Sequence, residues 1–472
     1  VNESPSRTLA RFVVQTQYDD LPVTAREKAK RCLLDALGVS LAATGLADEC
    51  RAFQEYAVEQ GGRPDCTLLG SSQRAPAALA ALANGALAHA LDFEDSHDRA
   101  LLHPNAPTVP VVLALSEAFG PVSGRDAITA LVLGCEVACR IALALNVSLD
   151  RYGWYPPPII AAFGATAAAG KLLGLDETQL IDAFSLTLCQ ATCSAELKSS
   201  PHSHIRAVRD AFPAQIAVTA ALLARKGVRG FERPFEGRAG FFSLYARGEY
   251  SSEALVARLG ERCEIEGVSF KPWPSCRGTH VFIEAARTLA REHAIDAETI
   301  ASIELEGSRL NRMLAEPVEQ KRRPATAIDA KFSLPFTVAL AMHHGEVALD
   351  HFLPDALRDR RTLALASRVS YAASESQPDQ GIEALRGRVT IRTGAGAAHS
   401  LEIAQPLGSE LRPLTDDALI AKFIDCCSRA SSSLARQRAA SLARQVLMLE
   451  DCDALGPWVR ELSAGNRVSG SP

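Results

Sequence analysis

Runs of alanine and glycine set the first limit on the fold. Ala161 to Leu175 reads AAFGATAAAGKLLGL, and Ala75 to Leu91 reads APAALAALANGALAHAL. Side chains this small let helices approach closely, which suits the interior of a large bundle. The same helical period recurs over Val109–Ala118, Arg125–Leu145, Ile159–Leu173, Glu177–Ala191 and Asp210–Lys226. Charges interrupt each segment, and none approaches the roughly 18 apolar residues of a membrane span. Near the start, Thr24-Ala-Arg-Glu27 has the spacing of a capping box ahead of a helix through Leu41. The expected class is mainly α.

The pattern changes near Cys263. Ile265–Phe270 and Ile300–Glu306 are expected as strands, followed by Val369–Ala373, Gly387–Arg392 and His399–Ile403. Gly394-Ala-Gly396 lies between two of these strands and predicts a hairpin turn, not a dinucleotide loop. Helices are expected over Thr279–His293 and Ala327–His344. From Thr415 the helical period returns, and the tail SAGNRVSGSP is expected to be disordered. The chain is thus divided into a large all-helical domain built from its N- and C-terminal parts, 1–264 and 410–472, and a smaller inserted α+β domain, 265–409.

A net charge of -5 over 472 residues supplies no basic field, so neither nucleic acid nor an anionic membrane is an expected partner. VNESPSRTLARF lacks the basic and apolar regions of a secretory signal. The 12 cysteines form no CxxC pair. Cys135/Cys139 and Cys189/Cys193 are spaced i,i+4 in apolar helical stretches and are expected as buried free thiols. A cytoplasmic setting follows.

Three stretches concentrate chemistry. NGALAHALDFEDSHDRALLHPNAPTVP, from Asn84 to Pro110, places Asp92, Glu94, Asp95, His97, Asp98, Arg99 and His103 between apolar helices, the second expected after Pro107. His103, fixed before Pro104, is a candidate general base, and its acidic neighbours favour the imidazolium. Metal ligation is not expected, since no HExxH-like spacing is present. The second stretch combines GWYPPP, with Tyr155, and the cationic run Lys198, His202, His204, Arg206 and Arg209. The third, SFKPWPSCRGTH, sets Lys271 and Arg277 around two prolines ahead of a helix, where an anion is favoured. A plain domain-junction turn explains it equally. No GxSxG elbow or glycine-rich phosphate loop is present.

These stretches, with RGFERPFEGRAGFF, AIDAKFSLPFTVALAM and GEVALDHF, resemble in order and spacing the MmgE/PrpD family. That family is typified by 2-methylcitrate dehydratase and includes cis-aconitate decarboxylase and iminodisuccinate epimerase. The resemblance covers nearly the whole chain. It implies a homodimer, an active site in the cleft between the two domains, no metal or organic cofactor, and small di- or tricarboxylate substrates. It carries Asp92, Ser96 and His103 onto the family's site loop and Lys271 onto its site lysine. His97, Lys198, Arg206, Arg209, Cys276 and Arg277 join them as expected substrate contacts. Several proton-handling groups differ. Tyr155 stands where many members have histidine, arginines stand around 206–209, Cys276 lies where decarboxylase-like members have a histidine, and Phe336 near their tyrosine.

Dehydration needs a base for the proton and an acid for the hydroxyl. Epimerisation needs a base and a conjugate acid on opposite faces of one carbon. His103 with Lys271 or Tyr155 could supply either pair, provided nearby cations lower the Tyr155 pKa. The departures favour an epimerase of an iminodisuccinate-like amino dicarboxylate. A 2-methylcitrate dehydratase-type hydro-lyase or a cis-aconitate decarboxylase-like lyase is the alternative, and a non-catalytic carboxylate-binding homologue is another.

Overall fold

Two glycines show how the helical body closes. A Cβ at Gly164 would sit 2.4 Å from the Gly134 carbonyl oxygen, so the Pro156–Leu172 and Gly124–Leu143 helices cross backbone to backbone. A Cβ at Gly85 would lie 2.8 Å from the Asp210 carbonyl, so the Ala77–Ala90 helix meets the Ala211–Arg225 segment as closely. This second contact brings Asp210 up to His89. Asn105–Ala118 packs against Ala77–Ala90 and Pro156–Leu172, completing the centre.

The computed structural model describes residues 4–200, 202–378 and 381–463. Its architecture is the expected one, mainly helical with a smaller α+β part. Asp416–Ser428 and Arg436–Leu447 return to pack on Val23–Leu46, so the chain's two ends share one helical body. The four-stranded sheet runs in the order Val369–Ala373, Ile300–Gly307, Gly387–Thr393, Ala398–Ile403, with the first pair parallel and the others antiparallel. Ile303 faces Ile391 and Leu305 faces Val389 across the ladder, both pairs buried against the His280–Glu292 helix side. Gly396 turns the predicted hairpin with φ 89°.

Several local expectations are corrected. The Val23–Leu46 helix starts before Thr24 and has no side-chain cap. The Thr24 hydroxyl instead donates to Glu266, and Glu27 pairs with Lys30 at 2.8 Å. The second helix of the loop region begins at Asn105, ahead of Pro107, because a proline in the first turn gives up an amide that had no helical partner. Only Val268–Ser269 of Ile265–Phe270 is strand, and a turn of 3-10 helix precedes it. The span Ala327–His344 breaks at Phe332-Ser333, where Ser333 caps a new helix with Pro335 in its first turn. Cys189 is exposed and Cys193 half-buried, outside the helix. Ile205–Arg225 does reach the length and apolarity of a membrane span, yet 67% of that window is buried in the protein core. The tail beyond Ser463 lies outside the described residues.

Candidate active site

A two-residue ladder joins the two halves of the site. Ser96 pairs with Ser269 and His97 with Val268, antiparallel. Asp98 adds two further ties: it accepts from Ser269 Oγ at 2.6 Å and is held by Arg277 through Nε at 2.9 Å and Nη2 at 3.0 Å. His97 is buried in the same seam, with Nε2 3.3 Å from Glu264 Oε2. Register therefore fixes Lys271, two residues beyond the ladder, against the loop carrying Asp92.

Lys271 is fully buried and donates to Asp92 Oδ1 at 2.6 Å and to the Asp92 carbonyl at 2.9 Å. Burial pulls its pKa down, but Asp92 and Glu94 together outweigh burial and raise it. Asp92 responds in kind: burial raises its carboxyl, and Lys271, His89 and His103 together more than offset this, so it stays ionised. Asp92 also sits at φ 47°, the left-handed region that non-glycine residues rarely adopt. Both loops are buttressed from the far end of the chain. Lys422, on the Asp416–Ser428 helix, donates to the carbonyls of Phe93 at 2.6 Å and Lys271 at 3.0 Å. Its ammonium also pairs with buried Asp35 at 2.7 Å.

His103 lines the cavity, and its Nδ1 faces the Asp95 carbonyl and Glu94 Oε1, both at 2.9 Å. Neither oxygen can donate, so Nδ1 carries the proton and Nε2 is the basic nitrogen. Glu94 also accepts from His89 Nδ1, and the two rings meet edge to face at 4.9 Å. Burial pushes the Glu94 carboxyl up, but His89, His103 and Lys271 together hold it well below the usual range. His89 is kept neutral by burial and by Arg209. Glu94 and His89 had not been singled out as site residues. The signal was a histidine at the last turn of an alanine helix, five residues before a glutamate.

The cavity beside this network measures about 720 Å³ and draws its walls from both the helical and the α+β parts. Ser96, His97, His103, Tyr155, Lys198, Cys276 and Arg277 all line it. The Ser96 hydroxyl has no partner among the described residues. Arg277 is committed to Asp98 and to the Leu407 carbonyl at 2.7 Å, so it braces the loop; the expected substrate cation is corrected to a strut. Lys198 is paired with Asp150 at 2.6 Å. Arg206, by contrast, is buried with its Nε and Nη2 unpartnered among the described residues and its guanidinium 3.4 Å from the Phe332 ring centroid. Arg209 lies 5.1 Å from the Tyr155 ring. These cations do not make Tyr155 a base: burial raises its pKa and the two arginines do not reverse the rise. The phenol stays protonated. His202 and His204 are exposed and do not line the cavity. Burial pushes Lys321 and Lys331 down to about 8; Lys321 is close enough to feel Arg206 and Lys331 to feel Asp92, yet neither lines the cavity.

Burial and then Asp35 push the Asp95 carboxyl up to about 8, with Asn105 donating to it at 2.7 Å. Unfolded, the group titrates near about 3.9. The folded state therefore binds an extra proton between those values. Its contribution to stability is complete below the unfolded pKa and is lost as pH rises through the folded one, at up to about 1.4 kcal/mol per pH unit. Asp95→Asn mimics the protonated acid and is expected to flatten that fall. Denaturant titrations from about pH 5 to about pH 8 check it, and equal slopes for variant and parent would show that Asp95 is ionised in the fold.

His89, Asp92, Glu94 and His103 each offer a ligand atom within 4.8 Å of the others, an arrangement the sequence spacing did not suggest. Part of this donor set is already taken up, while His89 Nε2, Asp92 Oδ2 and Glu94 Oε2 have no partner among the described residues. Both Nδ1 atoms are committed as donors to Glu94, and the Lys271 ammonium already lies against Asp92. The cluster is balanced by protons and protein cations.

The chain matches the MmgE/PrpD N-terminal domain over residues 7–253 and the MmgE/PrpD C-terminal domain over residues 273–447. It is 27% identical to the cis-aconitate decarboxylase-like protein oryM of Aspergillus oryzae, over 94% of each chain. It is 26% identical to a cis-aconitate decarboxylase of Aspergillus terreus, over 86% of this chain and 85% of that one. The Homo sapiens cis-aconitate decarboxylase is 25% identical, over 94% and 92%.

Proposed function

The chain belongs to the MmgE/PrpD family, and from that premise we propose that it is a cofactor-independent lyase that removes carbon dioxide from a small tricarboxylate. The observation that carries this reading is the unequal protonation of the site. Lys271 and Tyr155 are held protonated, while His103 presents one basic nitrogen. An epimerase must pass its proton in both directions, so one of those held protons would have to be absent for half of the reaction. A lyase uses them as they stand.

In this reading Arg206, whose Nε and Nη2 have no other partner among the described residues, takes a substrate carboxylate, and the buried charges of Arg209 and Lys271 behind it help stabilise the electron pair left when the C–C bond to the departing carboxylate breaks. The pair delocalises toward a neighbouring carboxylate. The Tyr155 phenol then returns a proton to carbon, and solvent restores the phenol. Relatives named for decarboxylation over nearly their whole length support this choice. Retention of His103 as a base supports loss of water from a hydroxy acid as the second reading, with the same cations and with Tyr155 protonating the hydroxyl. A cytoplasmic setting accords with 12 free thiols.

Incubation in heavy water, followed by NMR, tests the proposal. With cis-aconitate, loss of one carboxylate with deuterium on carbon is expected. An alkene formed from a hydroxy-tricarboxylate would select dehydration instead. Inversion at the α-carbon of an amino dicarboxylate, with no bond to carbon or oxygen broken, overturns the lyase reading.

A further inference from the structure

We infer that the acid bound here carries an apolar tail of several carbons. The inference rests on the reading that polar groups of the site take carboxylates, and it concerns the rest of the volume.

Polar groups, among them His103, Tyr155, Lys198 and Asn311, share the lining. Most of the exposed wall is nonetheless apolar and comes from separate parts of the fold. Leu143 and Leu145 contribute from the end of the Gly124–Leu143 helix and the turn beyond it. Leu310, Met313 and Ile382 contribute from the α+β side. All five are only partly buried, so apolar surface is left open to the cleft. Leu101 adds a sixth. It lies on the site loop at φ 54°, is 38% exposed, and lines the same cavity. A bulky residue rarely holds that backbone conformation, which here turns a leucine toward the cleft next to the proton-handling histidine.

Size points the same way. A cavity of about 720 Å³ lies within the range, about 300–1,000 Å³, that encloses drug-sized ligands. A plain tricarboxylate, with about a dozen heavy atoms, fills a fraction of it. Carboxylates gain nothing from leucine and methionine, and a wholly polar acid would leave those walls wet. An alkyl substituent removes both surfaces from water, with a gain proportional to the area covered.

Calorimetric titration of the whole protein with succinate, 2-butylsuccinate and 2-hexylsuccinate tests the inference without requiring turnover. Affinity is expected to rise about fourfold per added methylene until the wall is covered. The double variant Leu145→Asn/Met313→Gln is expected to flatten that rise. The slope itself is measured on the unaltered chain, so it does not depend on how the variant folds. Equal affinities for the three acids, or no binding by any of them, overturn the inference. A rise in affinity without turnover of any tricarboxylate leaves the inference standing and removes the lyase reading. Turnover of cis-aconitate with no rise along the series does the reverse.

Discussion

Lys271→Met is expected to lower kcat/KM by at least about 1,000-fold, because it removes the ammonium that contacts the Asp92 carboxylate from the opposite half of the site. The same change leaves the Asp92 carboxylate buried without its partner. Breaking a buried pair from one side costs about 3–5 kcal/mol, so the single variant is also expected to lose stability. The pH dependence identifies the cause. In the parent, Lys271 together with His89 and His103 outweighs burial and holds the Asp92 carboxyl below its usual value. Without Lys271, burial dominates and the folded carboxyl titrates above its unfolded value, so the stability gap between variant and parent widens as pH rises through the carboxylate range. The double variant Asp92→Asn/Lys271→Met removes both charges and is expected to regain most of the stability but none of the activity. Thermal melts and steady-state kinetics on the three proteins separate the roles. Activity within tenfold of the parent in Lys271→Met removes the lysine from the mechanism.

Where His103 takes a proton from the substrate, as the dehydration reading requires, Glu94→Gln is expected to lower kcat by about 10²–10⁴-fold with little change in KM. Glu94 touches no substrate; it acts through His103 as a positioning residue. Its carboxylate fixes the proton on Nδ1 and stabilises the imidazolium that forms when Nε2 takes a proton. A glutamine with its oxygen toward the ring keeps the tautomer but loses the charge. With its nitrogen toward the ring it also forces the proton to the wrong side. If this is its role, the change matters only while the imidazole is present: His103→Asn and the double variant should be equally slow. A further drop in the double variant would assign Glu94 an independent function, and a kcat within tenfold of the parent for Glu94→Gln would dismiss the relay.

Much of this was legible in the chain order. The small-residue runs announced close helix packing, and Gly164 and Gly85 sit where helix backbones meet. Asp92, His103 and Lys271 were reached through motifs that keep their spacing, and the fold brings them into one network. What stayed hidden depends on contacts that no local pattern records. Arg277 looked like a free cation until Asp98, 179 residues away, took its nitrogens. Tyr155 looked activatable by the cationic run at 198–209, and those arginines do lie near it in space, but its burial decides the sign. Glu94 looked like one more acidic loop residue, and only the fold shows two imidazoles sharing it. The break at Phe332-Ser333 was readable in principle, since a serine followed by Leu-Pro is an ordinary helix start.

The Lys422 buttress also sets when the site can exist. The loop with Asp92 leaves the ribosome early and Lys271 midway, but the ammonium that holds both carbonyls is encoded 151 residues after Lys271. At about 5–20 residues per second, translation takes about 8–30 s to cover that distance. Through that interval the nascent chain holds both halves of its chemistry without the Lys422 brace. Competence arrives with the last helices, when the end of the chain docks back onto its beginning.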